Sequence, residues 1–432
     1  MNTSTRRALI GALLLAAVLL VALWLRGAAG RAGPTERPTP LKPPPTAEPL
    51  VPTALPVFRA TALPRASKTP TAASRPTVTV THRADQPPAA TKLPPYRATA
   101  LPTAAASETP TVGEQPIATV TPHADGLLIG SNRARVGAAL ALGKLTEYDW
   151  DGAEPGWYLN WQVDPQPSRV GRARFAQMVR VNEGGFYPPL DTIRRAAQAN
   201  PGSLWLIGNE PDVKWQDNVT PERYAAVYGE LHAAIKAADP TAQVAIGGVS
   251  QPTPLRMAYL DRVLAAYRTQ FGAEMPVDVW NVHAFILREE QGSWGVDIPP
   301  GMDVAQGQLY EIADHNDMEV FRRQITDFRR WMAERGLRNK PLIVTEYGIL
   351  MPASYGFPPE VVSDFLVNTF DFFLTARDPE LGYPADDNRL VQAFNWYSIA
   401  DTTYPTSNLF DPETRNVSPV GETFKAYVSG LR

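Results

Sequence analysis

Cysteine is absent from this 432-residue sequence, and histidine is scarce, with only five residues. Without cysteine the chain has no disulfide, no thiolate metal site and no cysteine nucleophile. The histidines show none of the spacings typical of metal ligands, and no Gly-x-Ser-x-Gly sequence indicates a serine hydrolase. We therefore expect neither a metal nor a cofactor.

Basic residues are also fewer than acidic residues over most of the chain. Residues 126–432 hold 28 Lys and Arg against 38 Asp and Glu, whereas residues 1–125 hold 13 against 6. A large acidic part without a basic stripe does not fit a nucleic acid as its ligand. We therefore expect no nucleic-acid partner.

The N-terminus has the pattern of a secretory or membrane-anchoring segment. Arg6 and Arg7 precede eighteen apolar or small residues from Ala8 to Leu25. A basic start followed by an apolar run is typical of a signal peptide, but this length approaches that of a membrane-spanning helix. We favour a signal anchor at residues 1–30 over a cleaved signal peptide. In both cases the rest of the chain is expected to be extracytoplasmic, membrane-anchored by the N-terminus or secreted.

Residues 31–125 have the composition of a linker. They hold 20 of the 43 prolines, interleaved with Thr and Ala. Such a stretch buries too little apolar surface to offset the entropy of ordering it. It contains a duplication, since Arg59–Pro64 returns as Arg97–Pro102, but the copies have no apolar face on which to stack. We predict a disordered Pro/Thr/Ala-rich spacer rather than a solenoid.

Residues 126–432 alternate apolar runs with segments of helical spacing, and they hold nine of the ten tryptophans. Strands separated by helices imply a parallel sheet, and eight such units in one domain indicate a (β/α)8 TIM barrel. An open doubly wound sheet has less support, because Gly137-Ala138-Ala139 offers no glycine-rich phosphate turn. The eight apolar runs are Val136–Leu142, Trp157–Val163, Phe175–Val181, Leu204–Ile207, Val244–Ile246, Val277–Val282, Leu342–Val344 and Val391–Trp396.

Two helices are marked most clearly. After Thr220, Pro221 suits a first helical position, and the apolar residues from Tyr224 to Ile235 recur on one face of a 3.6-residue period. The apolar residues from Phe321 to Met332 have the same spacing. Both segments are predicted to cover the sheet.

Two glutamates stand where a predicted strand meets a polar loop. Glu210 follows the fourth run within Asn-Glu-Pro at 209–211, and Glu346 follows the seventh within Thr-Glu-Tyr-Gly at 345–348. In a TIM barrel, functional groups sit at the carboxyl ends of the strands. Cleavage of a glycosidic bond needs two carboxyl groups, one to protonate the leaving oxygen and one to attack or to activate water. The pair is therefore a candidate catalytic site.

The two motifs, three βα units apart, closely resemble the signatures of clan A glycoside hydrolases, with cellulase-like and family-39-like members. The resemblance covers nearly all of the C-terminal part in strand order and spacing. It implies that Glu210 is the acid/base, that Glu346 is the nucleophile, and that Asn209 hydrogen-bonds the sugar 2-hydroxyl. Cellulase-like members commonly have an arginine that serves the nucleophile, for which Arg135 and Arg180 are the candidates.

The resemblance places further side chains at the site. His283 matches a histidine at the end of strand six, and Trp396 matches the apolar floor of the −1 subsite. A satisfied core histidine and a packing tryptophan are the structural alternatives. Many clan members have a tyrosine two residues after that histidine, but this chain has Phe285. The hydroxyl that holds the nucleophile would then come from Tyr347 or Tyr397, or be missing.

The segment Ile286–Met318 is long for a loop that follows a strand, where about two to six residues are usual. It carries Trp294, Tyr310 and the acidic pair Glu289-Glu290. At the catalytic face it would wall one end of the cleft, and Trp294 would stack on sugars beyond the −1 subsite. The alternative is an exposed insertion with Trp294 packed on the barrel rim.

The sequence thus predicts a retaining glycoside hydrolase that cleaves O-glycosidic bonds, expected to be β-linked, in oligo- or polysaccharides by double displacement. We expect a monomer whose partner is its carbohydrate substrate and which meets a membrane only through its anchor. The rival is a catalytically weak carbohydrate-binding or wall-attachment protein on the same barrel. The presence of both glutamates with Asn209 favours catalysis, and a scaffold that presents the barrel to a partner protein is the weakest option. The sugar, the linkage, and exo or endo action stay open.

Overall fold

The computed structural model describes residues 130–431. The predicted anchor or signal peptide at 1–30 and the predicted linker at 31–125 lie outside the described residues. Within the described part of the chain, no helix combines the length and the apolar character needed to cross a membrane.

The described residues form ten strands. Six of them are buried along their whole length, as expected for parallel strands covered on both faces. Their bounds are β1 Val136–Ala139, β2 Trp157–Leu159, β3 Arg174–Phe175, β4 Gln177–Asn182, β5 Gly185–Tyr187, β6 Leu204–Asn209, β7 Gln243–Gly248, β8 Trp280–Val282, β9 Leu342–Val344 and β10 Ala393–Trp396.

Parallel pairing follows the chain around a barrel-like sheet. One set of strands has the order β3-β2-β1-β10-β9-β8, and the other has the order β5-β4-β6-β7. Two parallel bridges, Ala245 with Val279 and Val249 with Val282, connect β7 to β8. Ala176 alone separates β3, which pairs with β2, from β4, which pairs with β6. Only β5 is antiparallel to its neighbour. Each of the eight apolar runs overlaps a strand, so the prediction of a mixed α/β fold with a parallel sheet is confirmed.

Seven α-helices are present in the described part: α1 Asn132–Arg135, α2 Leu190–Ala199, α3 Pro221–Ala238, α4 Pro254–Phe271, α5 Met318–Glu334, α6 Pro359–Thr375 and α7 Pro419–Ser429. Short 3₁₀ turns lie at Leu145–Glu147, Ile312–Asn316, Ala353–Tyr355, Pro384–Asp386 and Pro405–Ser407. The alternation of strand and helix is incomplete, because residues 140–156 and 160–173, which follow β1 and β2, contain no α-helix. Loops thus replace helices beside the first two strands.

Local chemistry sets the helix starts. Four helices, among them α3, begin with proline at the first position, where the missing N–H costs no intrahelical bond. At α5 the Asp317 carboxylate accepts hydrogen bonds from the backbone N–H groups of Glu319 and Val320. The apolar residues on the predicted faces of α3 and α5 are all buried. Both predicted helices are therefore confirmed, and they cover the sheet through the expected faces.

Aromatic side chains fill the layer between the sheet and α6. Phe394 and Trp396 of β10 contact Phe370, with ring centroids 5.1 and 6.3 Å apart. Tyr347 contacts Phe373 at 5.2 Å and Trp396 at 5.4 Å. Burial of each such side chain stabilises the fold by about 1.5–3 kcal/mol. This layer determines on which side of the sheet two predicted site residues lie.

Arg135 lies at the amino end of β1, far from the strand ends that carry the glutamates. Its guanidinium donates two hydrogen bonds of 2.6 Å to the Asp386 carboxylate and one of 2.9 Å to the Gln392 carbonyl oxygen. All of these groups are buried. Arg135 is therefore a structural residue, and the expectation that it could serve the nucleophile is wrong.

Candidate active site

Three of the predicted residues meet at the carboxyl ends of the strands. Glu210 directly follows β6, His283 directly follows β8, and Glu346 lies two residues beyond β9. Because the carboxyl ends of parallel strands lie at one edge of the sheet, the three side chains converge. A carboxylate oxygen of each glutamate and a ring nitrogen of His283 all lie within 4.8 Å of one another.

His283 lies between the two carboxylates. Its Nδ1 is 3.0 Å from Oε1 of Glu210, and its Nε2 is 3.5 Å from Oε1 of Glu346. Burial lowers the pKa of this histidine, but the charges of Glu346 and Glu210 raise it more, so that the pKa ends above its ordinary value. Three donor groups could hold a metal ion. However, the two ring nitrogens face different carboxylates, an arrangement that suits hydrogen bonding better than shared coordination of one ion.

Glu346 is almost completely buried, with 5% of its surface exposed. Burial raises the pKa of its carboxyl group to about 7, and the charge of Glu210 acts in the same direction, against the lowering effects of His283 and Trp161. Three groups this close titrate as one unit. The cluster therefore retains a proton up to near-neutral pH, as two neighbouring carboxylates in a buried site must.

The backbone turns sharply where β6 delivers Glu210. Gly208 has φ +92° and Glu210 has φ +44°, a conformation that side chains other than glycine adopt at a cost of about 1–3 kcal/mol. The Glu210 N–H donates to the Gly248 carbonyl oxygen at 3.0 Å, which ties the turn to the neighbouring strand. This turn directs the carboxylate towards His283.

Asn209 is held from the loop that follows it. Its backbone N–H donates to Asp217 Oδ2 at 2.7 Å, and its Nδ2 lies 3.4 Å from Gln216 Oε1. Its Oδ1 has no hydrogen-bond partner among the described residues. The same Asp217 pairs with Arg180 of β4 at 2.6 Å, and the charge of Arg180 lowers the pKa of Glu346. Of the two candidate arginines, Arg180 is thus the one near the site.

A fully buried ion network fixes the surrounding loops. Arg256 of α4 donates to Asp212 Oδ2 at 2.7 Å and pairs with Glu289, while its Nη2 donates to two carbonyl oxygens in the segment Val296–Asp297. Asp212 lies two residues from Glu210, and Glu289 lies in the long loop after β8. Glu289 is therefore part of the loop's anchor, and its carboxylate does not face a ligand.

Tyr347 and Trp396 lie behind the strands rather than in the site. Both are fully buried in the aromatic layer against α6, and the Trp396 Nε1–H donates to the Ser407 carbonyl oxygen at 2.8 Å. Side chains alternate along a strand, so Trp396 shares the helix-facing side with Phe394. The expectations that Trp396 floors the −1 subsite and that Tyr347 binds substrate are wrong.

The site contains one aromatic residue, Trp161, that the sequence did not single out. The Trp161 Nε1–H donates to Glu346 Oε1 at 2.7 Å. The Trp161 ring contacts Tyr397 at 5.9 Å, and Tyr397 contacts Phe285 at 6.2 Å. Trp161 lies in the predicted run Trp157–Val163, but the strand ends at Leu159, and the loop beyond it carries the indole into the site. No sequence signal joins positions so far apart in the chain.

Trp294 is half-buried and packs against the apolar core. The loop that carries it is folded back on itself by a bridge between Glu290 and Gln306. Lys214, in the loop after Glu210, pairs with Asp297 at 3.4 Å. The loop thus lies beside the catalytic edge, and the contact of Trp294 with a sugar stays a prediction.

One family model matches part of the chain. The model of the glycosyl hydrolase catalytic core matches residues 139–297, a segment that holds Glu210 and His283 and ends before Glu346. Among curated protein sequences, none matches the chain. The match establishes the chain as a glycosidase, whereas the clan A and family-39-like assignment implied by the motifs stays a proposal.

Several solved structures resemble the chain. A GH128 subgroup I endo-β-1,3-glucanase from Amycolatopsis mediterranei, in complex with laminarihexaose, is 17% identical, with 68% of this chain and 98% of that chain covered and a TM-score of 0.45. A GH128 subgroup III curdlan-specific exo-β-1,3-glucanase from Blastomyces gilchristii is 17% identical, with 68% and 99% covered and a TM-score of 0.46. A GH128 subgroup VII oligosaccharide-binding protein from Trichoderma gamsii is 12% identical, with 68% and 94% covered and a TM-score of 0.41. Likeness at this level assigns no substrate to the chain.

Proposed function

We propose that the chain is a (β/α)8-barrel glycosidase of clan A type that cleaves β-glycosidic bonds in oligo- or polysaccharides with retention of configuration. The observation that carries this proposal is the cluster of Glu210, His283 and Glu346 at the carboxyl ends of β6, β8 and β9. Retaining enzymes hold their two carboxyl groups about 5–5.5 Å apart, whereas inverting enzymes leave about 6.5–9.5 Å for a water molecule. In this cluster a carboxylate oxygen of Glu210 and one of Glu346 lie within 4.8 Å of each other, which supports retention.

The reaction would proceed in two displacements. The Glu346 carboxylate attacks the anomeric carbon while Glu210 donates its proton to the leaving oxygen, so that a covalent glycosyl-enzyme forms and the leaving group departs as an alcohol. Glu210, now ionised, removes a proton from water, which attacks the same carbon and releases Glu346. Asn209, with its free Oδ1, would accept a hydrogen bond from the sugar 2-hydroxyl.

The electrostatics of the cluster set a condition on this mechanism. Glu346 must be ionised to attack, yet burial raises its pKa to about 7 in the free protein. His283 is the group that could pass a proton between the carboxylates, since one ring nitrogen faces each of them. We expect kcat/KM to rise with pH as the cluster loses its first proton near neutrality, because ionised Glu346 is the attacking form.

The first experiment is a hydrolysis screen across β-linked polysaccharides and aryl β-glycosides, with β-1,3-glucans included among the polysaccharides. NMR of the first-formed anomer then decides between retention and inversion. An inverted anomer would refute the double displacement, and binding without turnover on every substrate would favour the carbohydrate-binding alternative.

The roles of the two glutamates are tested separately. Glu346→Ala should abolish turnover, with partial recovery in azide, and a 2-deoxy-2-fluoroglycoside should label the peptide that contains Glu346. Glu210→Ala should cost about 10²–10⁴-fold on substrates with poor leaving groups, and much less on activated aryl glycosides, because only the former need a proton donor. Labelling of Glu210 instead would reverse the two roles.

We also propose that the glycosidase acts outside the cytoplasm as a monomer, on an N-terminal anchor or after secretion. The basic and apolar segment at 1–30 and the proline-rich residues 31–125 support this placement. Fractionation of expressing cells, followed by protease treatment of intact cells, would locate the catalytic part. Protection of the full chain from added protease would contradict a location outside the cytoplasm.

A further inference from the structure

The hydrogen bond to the candidate nucleophile comes from an unexpected residue. Position 285, where clan A members often carry a tyrosine, is occupied by Phe285, which has no hydroxyl group. Tyr347 is buried behind the strands, and the Tyr397 hydroxyl group donates to Asp401. None of these three residues donates to Glu346 in the described structure, and the N–H that does so belongs to Trp161.

The two side-chain nitrogens nearest to the Glu346 carboxylate both face one oxygen atom. Oε1 accepts from Trp161 Nε1 at 2.7 Å and lies 3.5 Å from His283 Nε2. Among the described residues, Oε2 accepts no hydrogen bond, and it is not among the buried polar atoms left without a partner. The carboxylate is therefore held by Oε1, and Oε2 is the oxygen left accessible.

The indole that makes this contact is itself supported. Trp161 has φ +57°, which turns the chain after β2 and brings the ring over the carboxyl edge of the sheet. Tyr397 meets the ring edge-on, at 5.9 Å and 66°, and is fixed in turn by its hydrogen bond to Asp401. Trp161 is only partly buried, whereas the carboxylate it holds is almost completely so. The ring is thus more exposed than the carboxylate that it holds.

From this geometry we propose that Trp161 is the positioning residue of the nucleophile: its indole N–H fixes Oε1 of Glu346 and leaves Oε2 to form the bond to the anomeric carbon. The inference rests on the proposed function for its chemical step, in which the Oε2–carbon bond forms as the bond to the leaving oxygen breaks. A hydrogen bond to the ionised carboxylate also favours ionisation in a site where burial opposes it. Trp161 therefore orients the nucleophile and lowers its pKa.

The hydrogen bond can be tested without any substrate. In the full chain labelled with ¹⁵N at tryptophan, Trp161→Phe identifies the Trp161 indole resonance by its disappearance. That resonance should shift with pH in the wild type, and Glu346→Gln should remove the pH dependence, since the acceptor no longer changes charge. A Trp161 resonance whose chemical shift changes neither with pH nor on Glu346→Gln substitution would overturn the inference, whichever substrate the protein hydrolyses.

The kinetic consequence is measured on an activated aryl glycoside, which needs no proton donor. A hydrogen bond to a charged group is worth about 10- to 150-fold in rate, so Trp161→Phe should lower kcat by that factor with little change in KM. The acidic limb of the pH profile should move to higher pH. Trp215→Phe, at an exposed tryptophan whose ring lies against Lys214, is the matched control and should change neither quantity.

Two further measurements distinguish a positioning role of Trp161 from a packing role. Site-specific replacement of Trp161 by benzothienylalanine keeps the bicyclic shape and removes only the N–H, so it should reproduce the effects of Trp161→Phe. A loss of kcat without movement of the acidic limb would show a packing role and refute the inference. Absence of turnover in the wild type would refute the proposed function instead, and the resonance experiment would still decide the role of Trp161.

Discussion

His315 joins two loops at the catalytic edge and should make the stability of the fold depend on pH. It lies in the 3₁₀ turn Ile312–Asn316, with Nδ1 2.8 Å from the Ile286 carbonyl oxygen. The backbone N–H of Leu350 donates to Nε2 at 2.9 Å. An accepting Nε2 requires the neutral ring with its proton on Nδ1. Burial accordingly lowers the pKa of His315 to about 4, from an ordinary value of 6.5.

The size of the effect follows from proton linkage. A histidine with a depressed pKa in the folded state binds its proton more readily when the chain unfolds, so the fold loses stability as pH falls below 6.5 and continues to lose it down to about 4. With these two values, the loss from His315 is about 2 kcal/mol at pH 5 and about 3 kcal/mol at pH 4. Above pH 7 the contribution is constant.

Urea denaturation of the wild type and of His315→Gln, at several pH values between 7.5 and 4, isolates this contribution. Glutamine retains one donor and one acceptor but does not titrate, so the difference in unfolding free energy between the two proteins should change by about 3 kcal/mol over the range. His232→Gln is the comparison at a half-buried histidine: burial lowers the pKa of His232 as well, so its difference should change in the same direction. A difference that stays flat from pH 7.5 to 4 would refute the assignment of a buried neutral imidazole.

Other perturbations test the loops and the domain boundary. Arg256→Met should destabilise the fold by about 3–5 kcal/mol in urea denaturation, because it leaves two buried carboxylates without their counter-charge. Arg322→Met, on the exposed side of α5, should have little effect. Equal losses of stability in the two variants would show that the buried ion network does not stabilise the fold. Trp294→Ala should weaken hydrolysis of oligosaccharides and spare short aryl glycosides, and an equal loss on both would indicate a structural role. A chain that begins at Gly126 should unfold cooperatively and hydrolyse the same substrates as the full chain; loss of the fold would mean that residues 1–125 support it.

The positions of the glutamates could be predicted because buried parallel strands are recognisable in the amino-acid sequence. A strand covered on both faces appears as a continuous apolar run, and its carboxyl end is where polar residues resume. Glu210, His283 and Glu346 each lie within two residues of such an end. Since all parallel strands end at the same edge, local patterns were enough to bring the two glutamates together, whereas His283 was placed there by the family resemblance.

The direction in which a side chain points could not be predicted from the same patterns. In β10 every residue is buried, so burial does not say which side chains face the helices. The structure turns Asn395 inwards, where an added Cβ at Gly137 would fall 1.7 Å from its Oδ1. Phe394 and Trp396 must then face α6. The contact of Trp161 with Glu346 joins residues 185 positions apart and depends on a loop conformation that no local pattern encodes.

The energetics of the cluster distinguish catalysis from sugar binding alone. Burying a carboxylate costs several kcal/mol unless it is paired, and Glu210 and Glu346 are buried with oxygens within 4.8 Å of a common imidazole nitrogen and of each other. A site that only bound sugars would gain more from neutral amides, which accept and donate without desolvated charge. Bond cleavage, in contrast, needs one ionised and one protonated carboxyl group at close range. The desolvation cost of this cluster is one that sugar binding does not require and that cleavage of a glycosidic bond does.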